Sequence, residues 1–342
     1  MYSEVASHIE VPLGKEAHRW AQQFADEQLS GNRKRVYLNT LAVYAAHRHL
    51  QWLGIETDLE QSDSWHPVLR SRWNVADLVI PGIGKLECRP VLPGETTVTL
   101  PAETTEDRFG YLAIQFREQL DYGEILGFAE ANTVASAGNR LAIASLQSLE
   151  TLIGHLERKR QRNALAAMAQ ETIDVGRWLR NKLEMWDLSS IWVPLSGPAL
   201  ATEMRDSSFF EFDSIALRLR QKNGIQIPPE AASSRRDIQM AQSRLRLYVA
   251  TWPPDNTAEA EWPLLLVLNP ARGSKLSQAF RLIVRDQTDI LIDSVLEPES
   301  KRSYLVTQVA GTVNEPFLVT IATEDGKEDA SFLFEFSLEQ LR

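Results

Sequence analysis

The clearest hydrophobic pattern in the chain is a stripe of apolar residues at three- and four-residue steps through residues 33–53. This spacing predicts an amphipathic helix with one buried face. Asn32 stands where an N-cap is expected, and Gly54 suits a left-handed residue after the last turn. Residues 1–31 predict one further helix that packs on the same body.

Beyond residue 75 the period changes, and Pro-Gly pairs separate short apolar segments. This pattern predicts β-strands joined by turns. A helix followed by strands predicts an α+β domain with a mixed sheet, to which we assign residues 1–135. The predicted strands are residues 76–81, 85–91, 96–101, 109–116 and 124–131.

Residues 136–242 are predicted to form a helical and mixed connecting region. The helical pattern covers residues 139–186, and prolines interrupt the part that follows. The Ser-Ser-Arg-Arg stretch at residues 233–236 is the predicted linker to the last domain.

The last hundred residues predict an antiparallel, immunoglobulin-like β-sandwich, to which we assign residues 243–342. Leu245, Leu247 and Val249 alternate with Arg244, Arg246 and Tyr248, as expected of a strand with one buried face. Short strands at regular spacing, with turns between them, are typical of a sandwich. The predicted strands are residues 245–252, 264–268, 280–284, 290–295, 303–309, 317–322 and 332–336.

Composition narrows the class of protein. The 342 residues carry a net charge of −10, which does not fit a general nucleic-acid binder. A single cysteine, Cys88, rules out a disulfide framework and a cysteine-rich zinc module. Residues 1–15 do not have the pattern of a signal peptide, and no apolar run is long enough for a membrane helix. We therefore expect a cytoplasmic protein that has no membrane partner.

Several strings in the first domain resemble a known family. They cover residues 35–44, 49–55, 84–94, 110–115 and 125–128, and they look like the domain of unknown function family eighteen twenty-two. The resemblance spans nearly the whole chain and implies a cyanobacterial origin. Members are often encoded near sigma-factor-like or signalling genes, which implies a role in sigma-factor-linked signalling.

A second resemblance concerns carboxylates on adjacent predicted strands. Asp77 lies on one strand and Glu87 on the next, after a long helix, which is similar to the core of the PD-(D/E)xK nuclease superfamily. The resemblance implies that Asp77 and Glu87 bind a divalent metal ion that activates water. Gln115, on a later strand, agrees with it, but Arg89 stands where the superfamily has lysine.

Arg89 weakens the catalytic interpretation, because a guanidinium group stays protonated and cannot act as a base. The alternative is structural: Arg89 would hold Glu87 in a bidentate ion pair, or these residues would line a solvated strand face. Cys88 is predicted to point to the opposite side of its strand and to serve as packing. His47 and His49 are two residues apart on the predicted helix, so we interpret both as structural.

No complete catalytic set or cofactor motif is found in the sequence. We therefore predict a non-enzymatic regulatory or adaptor protein that binds another protein, without a cofactor or small-molecule ligand. The alternative is a degenerate or weakly active nuclease-like domain that binds nucleic acid. Charge around Asp77 and Glu87 separates these hypotheses, because nucleic acid needs a basic cleft.

Overall fold

The structure is a computed structural model that describes residues 9–104, 107–134, 140–180, 192–195, 214, 216–221, 224–254, 261–298, 304–313 and 315–337. Its helices are α1 (Lys15–Asp26), α2 (Arg33–Trp52), α3 (Pro67–Arg72), α4 (Ala131–Val134), α5 (Leu149–Met168) and α6 (Val175–Arg180). The chain divides into two compact units, residues 1–160 and 161–342. The boundaries predicted after residues 135 and 242 therefore differ from this division.

The strands of the first unit are β1 (Ile9–Pro12), β2 (Asp77–Ile80), β3 (Gly84–Val91), β4 (Thr97–Thr99), β5 (Arg108–Phe116), β6 (Tyr122–Glu130) and β7 (Arg140–Ala142). Those of the second unit are β8 (Glu171–Asp174), β9 (Val193–Pro194), β10 (Ala232–Met240), β11 (Ser243–Thr251), β12 (Glu261–Pro270), β13 (Phe280–Arg285), β14 (Ile290–Leu296), β15 (Leu305–Thr312), β16 (Phe317–Thr323) and β17 (Asp329–Glu335). Helices and sheets in these places confirm the α+β class.

The first unit is built on a five-stranded mixed sheet with the order β1-β6-β5-β3-β2. Its mixed character comes from β3 and β5, which run parallel, while the other neighbours are antiparallel. Leu41 of α2 packs with Leu86 and Leu112 of the sheet in one buried core. A second core, which contains Tyr111, covers part of the other face.

Helix α2 follows the predicted bounds closely. It ends in a Schellman motif, because the Gly54 amide donates to the Gln51 carbonyl and the Ile55 amide donates to the Leu50 carbonyl. Gly54 has a φ of 76°, which confirms the predicted left-handed residue. Asn32 is at the N-cap position, but its side chain does not cap the helix.

The second unit is a β-sandwich. One five-stranded sheet has the order β15-β12-β11-β10-β9, and the other has the order β14-β13-β16-β17-β8. Leu247 and Leu266 of the first sheet share a buried core with Phe280, Phe317 and Phe332 of the second. All pairs are antiparallel except β8 and β17, which are parallel.

The structure corrects three predictions along the chain. The helical pattern predicted for residues 139–186 is interrupted by β7 and β8, which pair with β4 and β17. Residues 181–186 of that prediction lie outside the described residues. Residues 233–236 are not a linker, because they belong to β10, which pairs with β11 along its whole length. The single helix predicted in residues 1–31 is preceded by β1, which pairs with β6. All three errors concern segments whose pairing partner lies elsewhere in the chain, so their local composition did not reveal a strand.

Within the described residues, no helix combines the length and the apolar character needed to cross a membrane.

Candidate functional site

Asp77 of β2 and Glu87 of β3 lie directly opposite each other in the antiparallel register. Opposed residues of such a pair project to the same face of a sheet, so the two carboxylates lie side by side. Neither residue has exposed surface. The neighbours of Glu87 in the strand, Leu86 and Cys88, belong instead to the core that contains α2.

The position of Cys88 agrees with the predicted packing role. Its side chain is buried, and it is a free cysteine. Burial raises the pKa of the Cys88 thiol well above its ordinary value, and the nearby Glu87 carboxylate adds to this effect. A thiol that stays protonated is a poor nucleophile.

The Asp77 carboxylate is held by the turn at residues 63–65. Its two oxygens accept hydrogen bonds from the backbone amides of Asp63, at 2.9 Å, and Ser64, at 2.8 Å. The Ser64 hydroxyl donates to the Asp77 carbonyl. Burial raises the pKa of Asp77, while the nearby Arg108 and the Asp63 amide oppose that rise.

The Glu87 carboxylate is shared by two arginines. Its Oε1 accepts from the Ala76 amide at 2.8 Å and from Arg89 Nη1 at 3.1 Å. Its Oε2 accepts from Arg108 Nε at 2.9 Å. The expected ion pair between Arg89 and Glu87 is therefore present, but its expected bidentate geometry is wrong, because Arg89 contacts only Oε1 and Arg108 contacts Oε2.

Arg108 extends the cluster toward the surface. Its Nη2 donates to Asp63 at 3.3 Å, and Asp63 also accepts from Lys85 Nζ at 3.1 Å. Lys85 lies 2.8 Å from Asp107, which has a φ of 66°. Although burial alone would lower the pKa of Arg108, the carboxylates of Glu87 and Asp77 raise it. The five side chains of Asp77, Glu87, Arg89, Arg108 and Asp63 are called the charge cluster below.

Arg89 ties the charge cluster to the segment before β2. Its Nη1 donates to the Asn74 carbonyl at 3.0 Å, and its Nη2 donates to the Asn74 side chain at 3.2 Å. Asn39 of α2 donates to the same side-chain oxygen at 2.9 Å and to the Val75 carbonyl at 3.0 Å. Arg89 thus serves as a bridge between Glu87 and the chain that leads into β2.

Gln115 does not join the charge cluster. It lies opposite Val91 in the parallel register, whereas Glu87 lies opposite Tyr111. Four residues of strand separate these two positions, which corresponds to about 13 Å. The predicted grouping therefore unites Asp77, Glu87 and Arg89 and leaves Gln115 apart.

Comparison with known proteins gives one match. The family described as "Protein of unknown function (DUF1822)" matches residues 11–332. The chain belongs to this family. No curated protein and no solved structure gives a significant match to this DUF1822 chain.

The charge cluster of this DUF1822 chain does not fit a metal ion. All four carboxylate oxygens of Asp77 and Glu87 accept hydrogen bonds from protein donors at 3.1 Å or less. A metal ion would have to displace these donors and leave buried charges without partners. Among the described residues, no group of three or more histidine, cysteine or carboxylate side chains is arranged to hold a metal.

Three residues of the site were missed by reasoning from the DUF1822 sequence: Arg108, Asp63 and Asn74. Arg108 begins β5, whereas the strand was predicted to start one residue later. Asp63 and Asn74 lie outside the strands and reach the site only through the fold. The sequence offered one signal for these residues, a charged residue directly before a predicted apolar strand. This signal applies only to Arg108.

Both helix histidines that were interpreted as structural lie against neighbouring groups. His47 Nδ1 is 2.7 Å from the Thr57 hydroxyl, and the His49 ring is tilted against Trp52. Burial lowers the pKa of both imidazoles. His155 is a third histidine of this kind, stacked on Phe109 with its Nδ1 3.1 Å from Glu130.

Proposed function

We propose that this DUF1822 chain is a non-enzymatic regulatory or adaptor protein that binds another protein. The observation that carries the proposal is the saturation of Asp77 and Glu87, whose four carboxylate oxygens are held by protein donors inside a buried cluster. Carboxylates in this state hold the fold together and offer nothing to a substrate. The proposed setting is the cytoplasm, within sigma-factor-linked signalling.

Charge and surface composition support a protein partner. A net charge of −10 repels nucleic acid and attracts basic protein surfaces. Large apolar side chains are exposed in both units, among them Trp52 at 79% and Ile290 at 53%. Tryptophan is enriched in protein interfaces, where its ring supplies a large contact area.

The alternative is a degenerate nuclease-like domain that binds nucleic acid. The opposed register of Asp77 and Glu87 favours it, because a metal site of that kind needs both carboxylates on one face. The surroundings of the two carboxylates argue against nucleic-acid binding. Arg89 and Arg108 neutralise Glu87 at short range, Lys85 is paired with Asp63, and both carboxylates are buried, so the site does not form a basic cleft.

A cleavage assay tests the catalytic half of the proposal. Purified wild type, Arg89→Lys and Asp77→Ala are incubated with plasmid and single-stranded substrates in the presence of Mg²⁺ or Mn²⁺. We expect no cleavage by any of the three, and no heat of Mn²⁺ binding in calorimetry. Metal-dependent cleavage by wild type that disappears in Asp77→Ala would overturn the proposal and favour the nuclease-like alternative.

The binding half is tested by affinity purification from the native host under two conditions. The immobilised chain is washed with and without nuclease treatment, and the retained molecules are identified and quantified. We expect a protein retained at a fixed ratio to the chain in both conditions. Retention of nucleic acid alone, or loss of all partners after nuclease treatment, would contradict an adaptor role.

A further inference from the structure

Strand β14 lies at the edge of its sheet in the second unit. It pairs with β13 along one side, and no other strand of the described chain pairs with its second side. An edge strand presents backbone N–H and C=O groups that another chain can bind. Soluble proteins usually protect such edges with proline, lysine, a bulge or a covering segment.

Of these protections β14 has one, an irregularity in its pairing with β13: Val284 pairs with Ile292 and Arg285 pairs with Ile290, which leaves Leu291 as an extra residue. The strand has the sequence Ile-Leu-Ile-Asp-Ser-Val-Leu, with neither proline nor lysine. Ile290 is 53% exposed, Leu291 40% and Val295 47%, so apolar side chains face solvent along the edge. Exposed apolar residues that lie together mark interaction sites in many proteins.

The one charge within β14 is already neutralised. Arg281 of β13 donates two hydrogen bonds to the Asp293 carboxylate, one of them at 2.6 Å from Nε to Oδ1. The hydrogen bond from Arg281 lowers the pKa of Asp293, which keeps the pair ionised. A strand that docks on this edge therefore meets an apolar surface whose central ion pair is complete.

The two ends of β14 are acidic. Asp286 and Asp289 lie in the turn before the strand, and Glu297 follows it directly. Within the described chain, none of these three carboxylates forms a salt bridge. Burial raises the pKa of Asp286, but hydrogen bonds from the Asp289 and Thr288 amides outweigh it and lower that pKa. Arg285, at the end of β13, is the one cation of the same turn.

We propose that the free edge of β14 is the docking site of a partner protein's extended apolar segment with lysine or arginine at its two ends. The segment adds a sixth strand to the sheet, with backbone hydrogen bonds to β14 and side chains against Leu291 and Val295. Its basic ends meet Asp286, Asp289 and Glu297. This inference rests on the proposed protein-binding function and names the chemistry of the partner.

A second copy of the chain is a poorer occupant. Antiparallel pairing of two β14 strands about Asp293 brings Leu291 opposite Val295, which is favourable. The same register places Asp289 beside Glu297 of the other copy at both ends of the pair. Like charges directly opposed across a strand pair are destabilising, so charge selects a basic partner over self-association.

The test uses the full chain and a labelled peptide of the sequence Lys-Lys-Val-Thr-Val-Thr-Val-Lys-Lys, followed by fluorescence anisotropy. Binding should weaken by about tenfold in Leu291→Lys, which places a cation on the apolar edge. The double variant Asp289→Asn with Glu297→Gln should also weaken binding and reduce its dependence on salt. Val68→Lys, at an exposed site in the first unit, is the matched control and should bind as wild type does.

Two further peptides separate strand addition from simple attraction. The same peptide with proline in place of the central valine should bind poorly, because it loses a backbone donor and the extended pairing geometry. The peptide with glutamate in place of lysine should also bind poorly. Equal binding of all three peptides would overturn the proposal. A loss of peptide binding in Val68→Lys as large as that in Leu291→Lys would also overturn it.

The remaining outcomes distinguish this inference from the proposed function. Sedimentation that shows a wild-type dimer and a monomeric Leu291→Lys variant would assign the edge to a second copy and overturn the basic partner. If the native partner is retained equally by wild type and Leu291→Lys, the adaptor role stands and the β14 site is wrong. Thermal melting of each variant checks that the chain is folded in every comparison.

Discussion

Glu87 accepts hydrogen bonds from two arginines whose surroundings differ. Arg108 Nε occupies Oε2 alone, whereas Arg89 shares Oε1 with the Ala76 amide. Arg89 also holds Asn74, so part of its contribution is to position the chain before β2. Arg108 is therefore the residue on which the charge balance of the cluster depends most directly.

Arg108→Met should destabilise the fold by about 3 kcal/mol, because it leaves the buried Glu87 carboxylate with much less compensating charge. The free energy of unfolding is measured by urea titration. Arg117→Met is the control, since the ion pair between Arg117 and Glu10 is roughly half exposed on both sides. Removal of an exposed pair should leave the unfolding free energy nearly unchanged. An equal loss of unfolding free energy in both variants would show that the burial of the charge cluster does not affect its contribution to stability.

One buried histidine, His49, and two half-buried ones, His47 and His155, make the fold sensitive to acid. Burial lowers the pKa of His47, His49 and His155 below the ordinary value of 6.5. The unfolded chain then binds more protons than the native chain as the pH falls from about 6.5, so stability is present above this pH and is lost below it. His155→Gln should reduce the loss of unfolding free energy between about pH 7 and about pH 5.5.

The matched control for this pH dependence is His66→Gln, because His66 is exposed. It should retain the full wild-type loss on acidification. A His155→Gln variant whose acid sensitivity equals that of wild type would mean that His155 does not contribute.

At the scale of the element, the end of α2 shows how a single glycine in the sequence determines where a helix ends. Gly54 has a left-handed φ of 76°, and an added Cβ there would meet nothing within 4 Å. Any penalty for a side chain at this position therefore comes from the backbone conformation and not from a steric clash. The Schellman motif depends on that conformation.

Gly54→Ala should destabilise the fold by about 1 kcal/mol, because alanine adopts a positive φ only at that penalty. Gly31→Ala is the matched control, since its added Cβ also meets nothing within 4 Å and its φ is not positive. The control should not lower the melting temperature. If the two variants have the same melting temperature, the backbone conformation at Gly54 does not limit stability.

For the whole molecule, the pairing of β10 changes which fragment can fold. β10 pairs with β11 at nine positions, and β8 pairs with β17. A fragment of residues 243–342 lacks β8 and β10, and it exposes the part of the sandwich core that Ile238 and Met240 of β10 cover. The predicted domain start near residue 243 therefore omits β8, β9 and β10, which belong to the two sheets of the sandwich.

We expect a fragment of residues 148–342 to be soluble and to melt cooperatively, while a fragment of residues 243–342 aggregates. The longer fragment retains the second unit with all of α5. Circular dichroism during heating and size-exclusion chromatography distinguish the two. Cooperative unfolding of residues 243–342 alone would show that β8, β9 and β10 are dispensable.

By itself, the sequence determined the elements whose pattern is local. The bounds of α2, the strands from β2 to β6, the burial of Cys88 and most sandwich strands follow from hydrophobic period and turn residues, which act between near neighbours. The predicted strand positions also brought Asp77 and Glu87 onto adjacent strands. The opposed register of that pair agrees with the order of the two strands and the short turn between them.

Only the tertiary structure decided what surrounds that pair. Arg108 reaches Glu87 because β3 and β5 lie parallel, and Asp63 reaches Arg108 from a separate turn. The strand character of residues 232–240 likewise depends on β11. These are contacts between segments far apart in the chain. Their stability comes from burial and from pairing that no local pattern contains, so they appear only when the fold brings the partners together.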